Sequence, residues 1–316
     1  MSDASLAAPV LLAFGASASW ALANVAVQNS ARLVGAFRGL LWAQVAGVVA
    51  SAVLALVLDH RSAALSGAAL AWLGGAGLAS LLAYLSMFYA LEHGRLAIAV
   101  PIMSGWAVIS TAISVLVFRE PVRPSQLGGA GLVIGGVILV SRYARQAAAR
   151  EAAAGEAAAL DQARPAAAAA LAGADASSRR PRWLLASLSA AVGFGLLIPA
   201  IGRVTPAFGH LGAVAAVFVV DILLGLPLAL VLRVDMRPPP RHALAPVVLA
   251  GLCEAAGFVC IALAVGRAPL AVVSPLASLA SALTVIYAWV VLRDRPSRGA
   301  LVGAAIVCAG VIALAL

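Results

Sequence analysis

The sequence predicts an all-α membrane protein, with ten transmembrane helices arranged as two inverted five-helix repeats. Three observations carry this. Hydrophobic residues make up 64% of the 316 and charged residues only 10%, at a mean hydropathy of +1.06. A water-soluble domain holds roughly 45–50% apolar and about 25% charged residues, so a bilayer must act as the solvent here. The apolar residues form long, nearly continuous runs without the two-residue alternation of β-barrel strands. Finally, the second part of the chain repeats the pattern of the first at a fixed offset.

A spanning helix needs about 20 apolar residues at ~1.5 Å rise each. The first run, 8–29, follows a leader with Asp3 and no basic residue. A cleaved signal wants a basic start, so this run is expected to stay as a helix. Its Trp20, Asn24 and Gln28 recur at every fourth residue and share one stripe. Amide side chains in lipid need partners, so the stripe should look inward. There it either offers hydrogen bonds to a substrate or bridges helices at ~0.6–2 kcal/mol each. The second run, 34–58, carries Gln44 and ends at Asp59-His60-Arg61; the third, 67–90, carries Ser80 and Tyr84. The fourth, 96–118, opens with Pro101 and Ser104 and stops at Arg119-Glu120-Pro121. Ser125, a good N-cap type, precedes the fifth run, 126–141, whose glycines let helix backbones approach closely. That stretch lacks the Lys and the strand of a phosphate-binding loop.

The long connection 142–182 is rich in Ala, Arg and Glu, and beyond Pro165 it reads as a polar linker. Five further runs follow, at 183–203, 211–232, 244–265, 270–292 and 299–316. The expected organisation is therefore a first repeat at 1–141, the linker at 142–182 and a second repeat at 183–316. Sliding the chain by 174 lays 84–138 on 258–312 without a gap, and 14 of the 55 positions match. Pro101 meets Pro275, Ser104 meets Ser278, Arg119 meets Arg293, and Gly136-Val137-Ile138 meets Gly310-Val311-Ile312. An odd number of helices per copy makes the second copy enter the membrane from the opposite side, a recurrent transporter architecture.

Several function classes are excluded. The net charge of +9 is spread over short clusters and forms no basic face with interleaved aromatics, so no nucleic-acid partner is expected. Cys253, Cys260 and Cys308 lie in apolar runs without a CxxC, and the four histidines stand singly, so no metal or cofactor is expected. No Gly-x-Gly-Asp, His-Glu-x-x-His or Gly-x-Ser-Gly motif supports an intramembrane enzyme.

In each half a Pro opens the fourth helix, and an apolar run, an acidic residue and a Gly-rich fifth helix follow. These are Pro101…Phe118-Arg119-Glu120…Gly136-Val137 and Pro275…Leu292-Arg293-Asp294…Gly310-Val311. This pattern resembles the EamA-type transporters of the drug/metabolite transporter superfamily over nearly the whole chain. The acidic position departs from the family's habit, since it follows Arg rather than Gly in both halves. The resemblance implies a ten-helix basket in the bacterial inner membrane that exports a small metabolite or drug by proton exchange or facilitated movement. A lipid flippase or a divalent-cation carrier would suit the same scaffold. The resemblance also implies a cytoplasmic N-terminus. The positive-inside rule prefers the reverse, because that topology leaves only Arg61, Arg119, Arg123, Arg203 and Arg267 inside. The partners expected are the bilayer, a small-molecule substrate and protons, and the chain acts as a monomer or homodimer.

Two acids sit in mid-run rather than at helix ends, Asp221 and Glu254. A carboxylate at a helix centre costs ~2.5–3.5 kcal/mol to insert, so it usually faces a cavity or a partner. At the repeat offset Glu254 falls on Ser80, and Asp221 falls near Gln44 if the offset drifts to 177. Gln44, Ser80, Asp221 and Glu254 are therefore expected to line one central cavity, with Trp20, Asn24 and Gln28 in its wall. Gly251, Ala255, Ala256 and Gly257 should leave room for a ligand beside Glu254, whereas bulky neighbours suit Asp221 to a packed role. Glu120 and Asp294 are read as loop braces, and Tyr84, Ser278 and Ser281 as minor pore candidates for which core packing is the stronger reading.

Overall fold

A computed structural model of the chain describes residues 3–58, 66–117, 119, 124–125, 128–129, 131–140, 142–143, 146, 182–265, 267, 273, 276–277, 279–290 and 298–315. Among these every regular element is an α-helix. In order they are α1 (Asp3–Val34), α2 (Ala36–Leu58), α3 (Gly67–His93), α4 (Leu96–Met103), α5 (Trp106–Leu116) and α6 (Gly131–Val140). After the connection come α7 (Arg182–Phe208), α8 (His210–Val231), α9 (Arg241–Val265), α10 (Ala280–Val290) and α11 (Arg298–Ala315). Among the described residues seven segments are long and apolar enough to cross a membrane, with α4 and α5 forming one of them over Leu96–Ile113. Outward-facing Leu56, Leu116 and Val231 are 80%, 78% and 78% exposed, as residues facing lipid are. Most of the connection read as a linker lies outside the described residues.

Each half opens with the same hinge. Gly35 and Gly209, 174 residues apart, have φ of 86° and 76°, the left-handed region that glycine alone enters without cost. Each donates its N–H to the carbonyl four residues back, Ala31 and Thr205, at 2.8 Å, and each carbonyl caps the next helix through Gly39 and Ala213. The run expected at 8–29 therefore continues to Val34.

The fourth helix breaks at the same place in both halves. In the first half it turns at Ser104–Gly105, where the Gly105 N–H reaches the Ile102 carbonyl at 3.1 Å. In the second half the Leu279 N–H reaches the Leu276 carbonyl at 3.3 Å. Both are i→i+3 bonds of the tighter 3₁₀ type, set three to four residues after the paired prolines. At this break the carbonyls of Leu276 and Ala277 also accept the Ser17 hydroxyl, at 2.7 and 3.0 Å. A continuous helix over 96–118 is thus corrected to two segments.

Helix pairs recur in matched sets. The largest interfaces are α1 against α9 and α3 against α7, which exchange under the 174-residue offset; α2 against α9 likewise matches α8 against α3. Where α2 meets α8, Gln44 touches Asp221 and Gly47 touches Phe218, so the two helices run antiparallel. α6 and α11 also run antiparallel and nearly backbone to backbone. A Cβ on Gly136 would lie 2.8 Å from the Gly303 carbonyl, and one on Gly310 would lie 2.8 Å from the Gly129 carbonyl.

These contacts keep the offset at 174 through α2 and α8. Under it the Gln44–Asp221 contact maps onto Phe218–Gly47. Asp221 therefore corresponds to Gly47, one turn from Gln44, because neither helix has a bulge to absorb three residues.

One end of the bundle is tightly laced. Gln28 and Arg32 donate to the Gly94 carbonyl at 3.4 and 3.1 Å, and the Glu92 carboxylate accepts the Ala36 N–H at 2.9 Å. Arg38 reaches across to the loop after α8, donating to the carbonyls of Arg237 and Pro238 and to Asp235 at 2.8–3.3 Å.

Candidate functional site

Glu254 lies in the middle of α9, only 6% exposed, and its Oε2 accepts the Tyr84 hydroxyl at 2.9 Å. The space that its small neighbours offer is not left empty. A Cβ on Gly251 would strike the Ala43 carbonyl, and one on Gly257 would strike the Trp20 indole nitrogen. The glycines serve instead to press α9 onto α1 and α2, which corrects the expectation that they make room for a ligand. Room in front of Glu254 comes from the broken fourth helices.

There a cavity of about 60 Å³ opens, enough for several waters. Its wall combines residues of both halves: Trp20 and Asn24 of α1, Ser104 and Trp106 at the α4–α5 break, Phe194 of α7, and Glu254 and Phe258 of α9. Met87, Met103, Ala277, Ala280 and Ser281 complete much of the remainder. The rings hold one another edge to face, Trp20 against Phe258 at 5.2 Å and against Trp106 at 6.2 Å. Asn24 is oriented by its amide, which donates to Thr284 Oγ1 at 3.1 Å, and Thr284 in turn donates to the Ala280 carbonyl at 2.7 Å. The Trp20 indole N–H is buried without a partner.

The second acid stands elsewhere. Asp221 is 0% exposed and does not belong to the cavity wall. Its Oδ2 accepts the Gln44 amide at 2.6 Å and the Ser80 hydroxyl at 2.7 Å, while Oδ1 has no partner. Ser80 and Tyr84 are one turn apart on α3, so neighbouring turns of one helix hold the two acids. Between them stand rings, with Tyr84 at 6.2 Å from Phe218 and Phe218 at 5.8 Å from Phe258. The single cavity expected around four polar residues is thus two clusters. One is a cavity with Glu254, Trp20 and Asn24, and the other a closed knot of Gln44, Ser80 and Asp221. Residues on facing helices meet only where their stripes cross, and Ser80 and Tyr84, one turn apart on α3, meet different acids.

Gln28 continues the Asn24 stripe but leaves the cavity, donating to the carbonyls of Leu91 and Gly94 at 3.3 and 3.4 Å. It joins helix ends. Ser281 lies on the cavity wall, whereas Ser278, Glu120 and Asp294 are outside the described residues. Trp106, Phe194, Phe258 and Thr284 were not expected at the site. A signal for Trp106 existed in its place two residues after the paired Ser104, but aromatic and Thr residues in apolar runs look like packing.

Among the described residues, no group of three His, Cys, Asp or Glu could hold a metal ion. No curated protein matches the chain at a significant level. A solved crystal structure of a protein superposes with a TM-score of 0.63 over 96% of this chain and 95% of its own, at 18% sequence identity, a likeness of fold alone. The EamA-like transporter family matches twice, over residues 7–142 and 181–316, so nearly the whole chain is accounted for by two copies of one unit. By that double match the chain belongs to the EamA-like transporter family, within the drug/metabolite transporter superfamily, and is a multi-pass membrane protein.

Proposed function

We propose that the protein is a secondary transporter that exports a small metabolite or drug across the bacterial inner membrane and is coupled to protons through Glu254. The observation that carries this reading is a carboxyl on the wall of a cavity shared by both halves. A group there can be offered to either side of the membrane as the halves rock, which is what alternating access requires. The discontinuous fourth helices at the cavity add to the case, because broken backbone in a membrane is tolerated where it lines such a site.

The scaffold proposed is ten spans in two inverted repeats, 1–141 and 183–316, joined by 142–182. Support comes from the antiparallel crossings of α2 with α8 and of α6 with α11. Two equivalent helices that run antiparallel are related by an axis across them, hence in the membrane plane. The seven long helices are joined in this count by α6, α10 and α11.

Purified protein in vesicles with an imposed pH gradient tests the reading. Glu254→Gln should abolish pH-driven flux while expression and membrane insertion stay at wild-type levels. Undiminished proton-coupled flux in that variant would refute the role of Glu254.

A further inference from the structure

We infer that the seam where α4, α7 and α11 begin, beside the end of α6, is a docking site for an anionic phospholipid of the surrounding leaflet. The inference does not depend on the reading of the Glu254 cavity. It starts from two dipeptides that flank the long connection, Arg142-Tyr143 just past α6 and Arg182-Trp183 at the start of α7. Tyr and Trp settle at the headgroup level of a bilayer, with the ring in the apolar layer and the polar tip in the wet one. An Arg beside each stands at the depth of lipid phosphates.

The fold brings the two dipeptides to one seam. Ile98 and Ile102 of α4, Val140 of α6, Leu184 of α7 and Ala304 of α11 pack as one apolar cluster, with Trp183 against it. The Trp183 ring also covers Gly94 ahead of α4, where a Cβ would come within 2.8 Å of it. Across the seam a Cβ on Gly299 would strike the Tyr143 ring, which brings Arg298 next to Tyr143. Arg142, Arg182 and Arg298 are all exposed and make no ion pair among the described residues. None of α4, α6, α7 and α11 contains an acid. Glu92, on the last turn of α3, is engaged by the Ala36 N–H. Into the membrane from the arginines, Leu185 and Leu188 of α7 and Ile138 of α6 are exposed and offer apolar surface to acyl chains.

Arginines at one end of a membrane protein also serve its orientation, and the repeat separates that role from a binding site. Under the 174-residue offset Arg182-Trp183 corresponds to Ala8-Pro9, Arg298 to Pro124 and Arg142 to Leu316. The equivalent seam of the repeat therefore has neither the arginines nor the rings. Orientation is served by arginines anywhere at that end, such as Arg233, Arg237 and Arg241 around the α8–α9 loop. It does not call for an Arg–aromatic pair on each side of one seam. Basic side chains gathered between spanning helices are what acidic headgroups bind.

The test titrates lipid onto the full chain, purified and delipidated in a neutral detergent, with bound lipids counted by native mass spectrometry. Dioleoylphosphatidylglycerol should saturate a single site and bind at least about tenfold more tightly than dioleoylphosphatidylcholine, whose choline offsets the phosphate. Each Arg near an anionic surface is worth about fivefold in attraction. The triple variant Arg142→Gln, Arg182→Gln, Arg298→Gln should therefore lose at least about tenfold in phosphatidylglycerol affinity. The triple variant Arg233→Gln, Arg237→Gln, Arg241→Gln removes the same charge from the same end and should lose less than about threefold. Equal affinities of the two lipids for the unaltered protein overturn the inference, whether or not any variant folds. Equal losses in the two triple variants overturn it as well, because the attraction is then one of general surface charge. Displacement of the bound lipid by glycerol phosphate at matching concentration makes the seam a site for free phosphate and also overturns it.

Discussion

Asp221 and Glu254 look alike in the chain, each an acid in the middle of an apolar run, yet their surroundings differ. Asp221 is fully buried and receives two short hydrogen bonds, which marks it as the tie among α2, α3 and α8. Asp221→Asn keeps an oxygen acceptor for both donors and should leave thermal stability close to wild type and transport partly intact. Asp221→Leu strands the Gln44 amide and the Ser80 hydroxyl, at a cost of about 1–3 kcal/mol. Its unfolding temperature in detergent should fall by several degrees, and Gln44→Leu in the same chain should recover part of the loss. Full loss of transport in Asp221→Asn with unchanged stability would instead make this acid part of the transport cycle. The sequence could place both acids in the membrane, because hydropathy alone finds a charge in an apolar run. It could not separate them, because which acid meets a cavity depends on how helices from distant parts of the chain cross.

At the scale of the element, glycine divides into two kinds that sequence alone does not distinguish. Gly135 and Gly136 are neighbours in α6, yet a Cβ on Gly135 meets nothing within 4 Å while one on Gly136 meets the backbone of α11. Gly136→Val and Gly310→Val should therefore each destabilise the protein strongly, since backbone rather than a mobile side chain would have to move. Gly135→Val should be tolerated, and it adds apolar surface to a face in lipid. Thermal unfolding of the three variants checks this, and equal losses for Gly135 and Gly136 would refute the close packing of α6 on α11. Element positions were largely legible: the runs read at 34–58 and 244–265 correspond to α2 at Ala36–Leu58 and α9 at Arg241–Val265. Such runs are set by the thickness of lipid, a property that each residue reports independently. The break at Ser104–Gly105 was not legible. Pro101 announced a disturbance, but a proline near a helix start is also compatible with an unbroken first turn.

The whole molecule adds an asymmetry of charge to its repeat. In the proposed ten-span topology the end of the bundle with the α1–α2 hinge would also hold the end of α3, the α8–α9 loop, the long connection and the start of α11. Arg32, Arg38, Arg95, Arg233, Arg237 and Arg241 are all on that side, and 16 of the 21 basic residues fall there in total. The excess survives removal of the seven in the connection, leaving nine against five. Arginines close to helix ends resist translocation, so this end should face the cytoplasm and both chain termini should face outward. Arg38 lies at the same end, where its guanidinium ties the start of α2 to Asp235 and two loop carbonyls. A phosphatase fused after Leu316, active only outside the inner membrane, should be active in a bacterial host, and a green fluorescent protein at the same place should be dark. The reverse pair of signals would seat the N-terminus inside and turn the laced end outward. Replacing Arg233, Arg237 and Arg241 with Gln, while adding Arg next to Arg203 and Arg267, should shift the reporters toward that reverse pair if charge sets the orientation. Unmoved reporters would mean that the helices themselves, and not their arginines, decide which way the protein inserts.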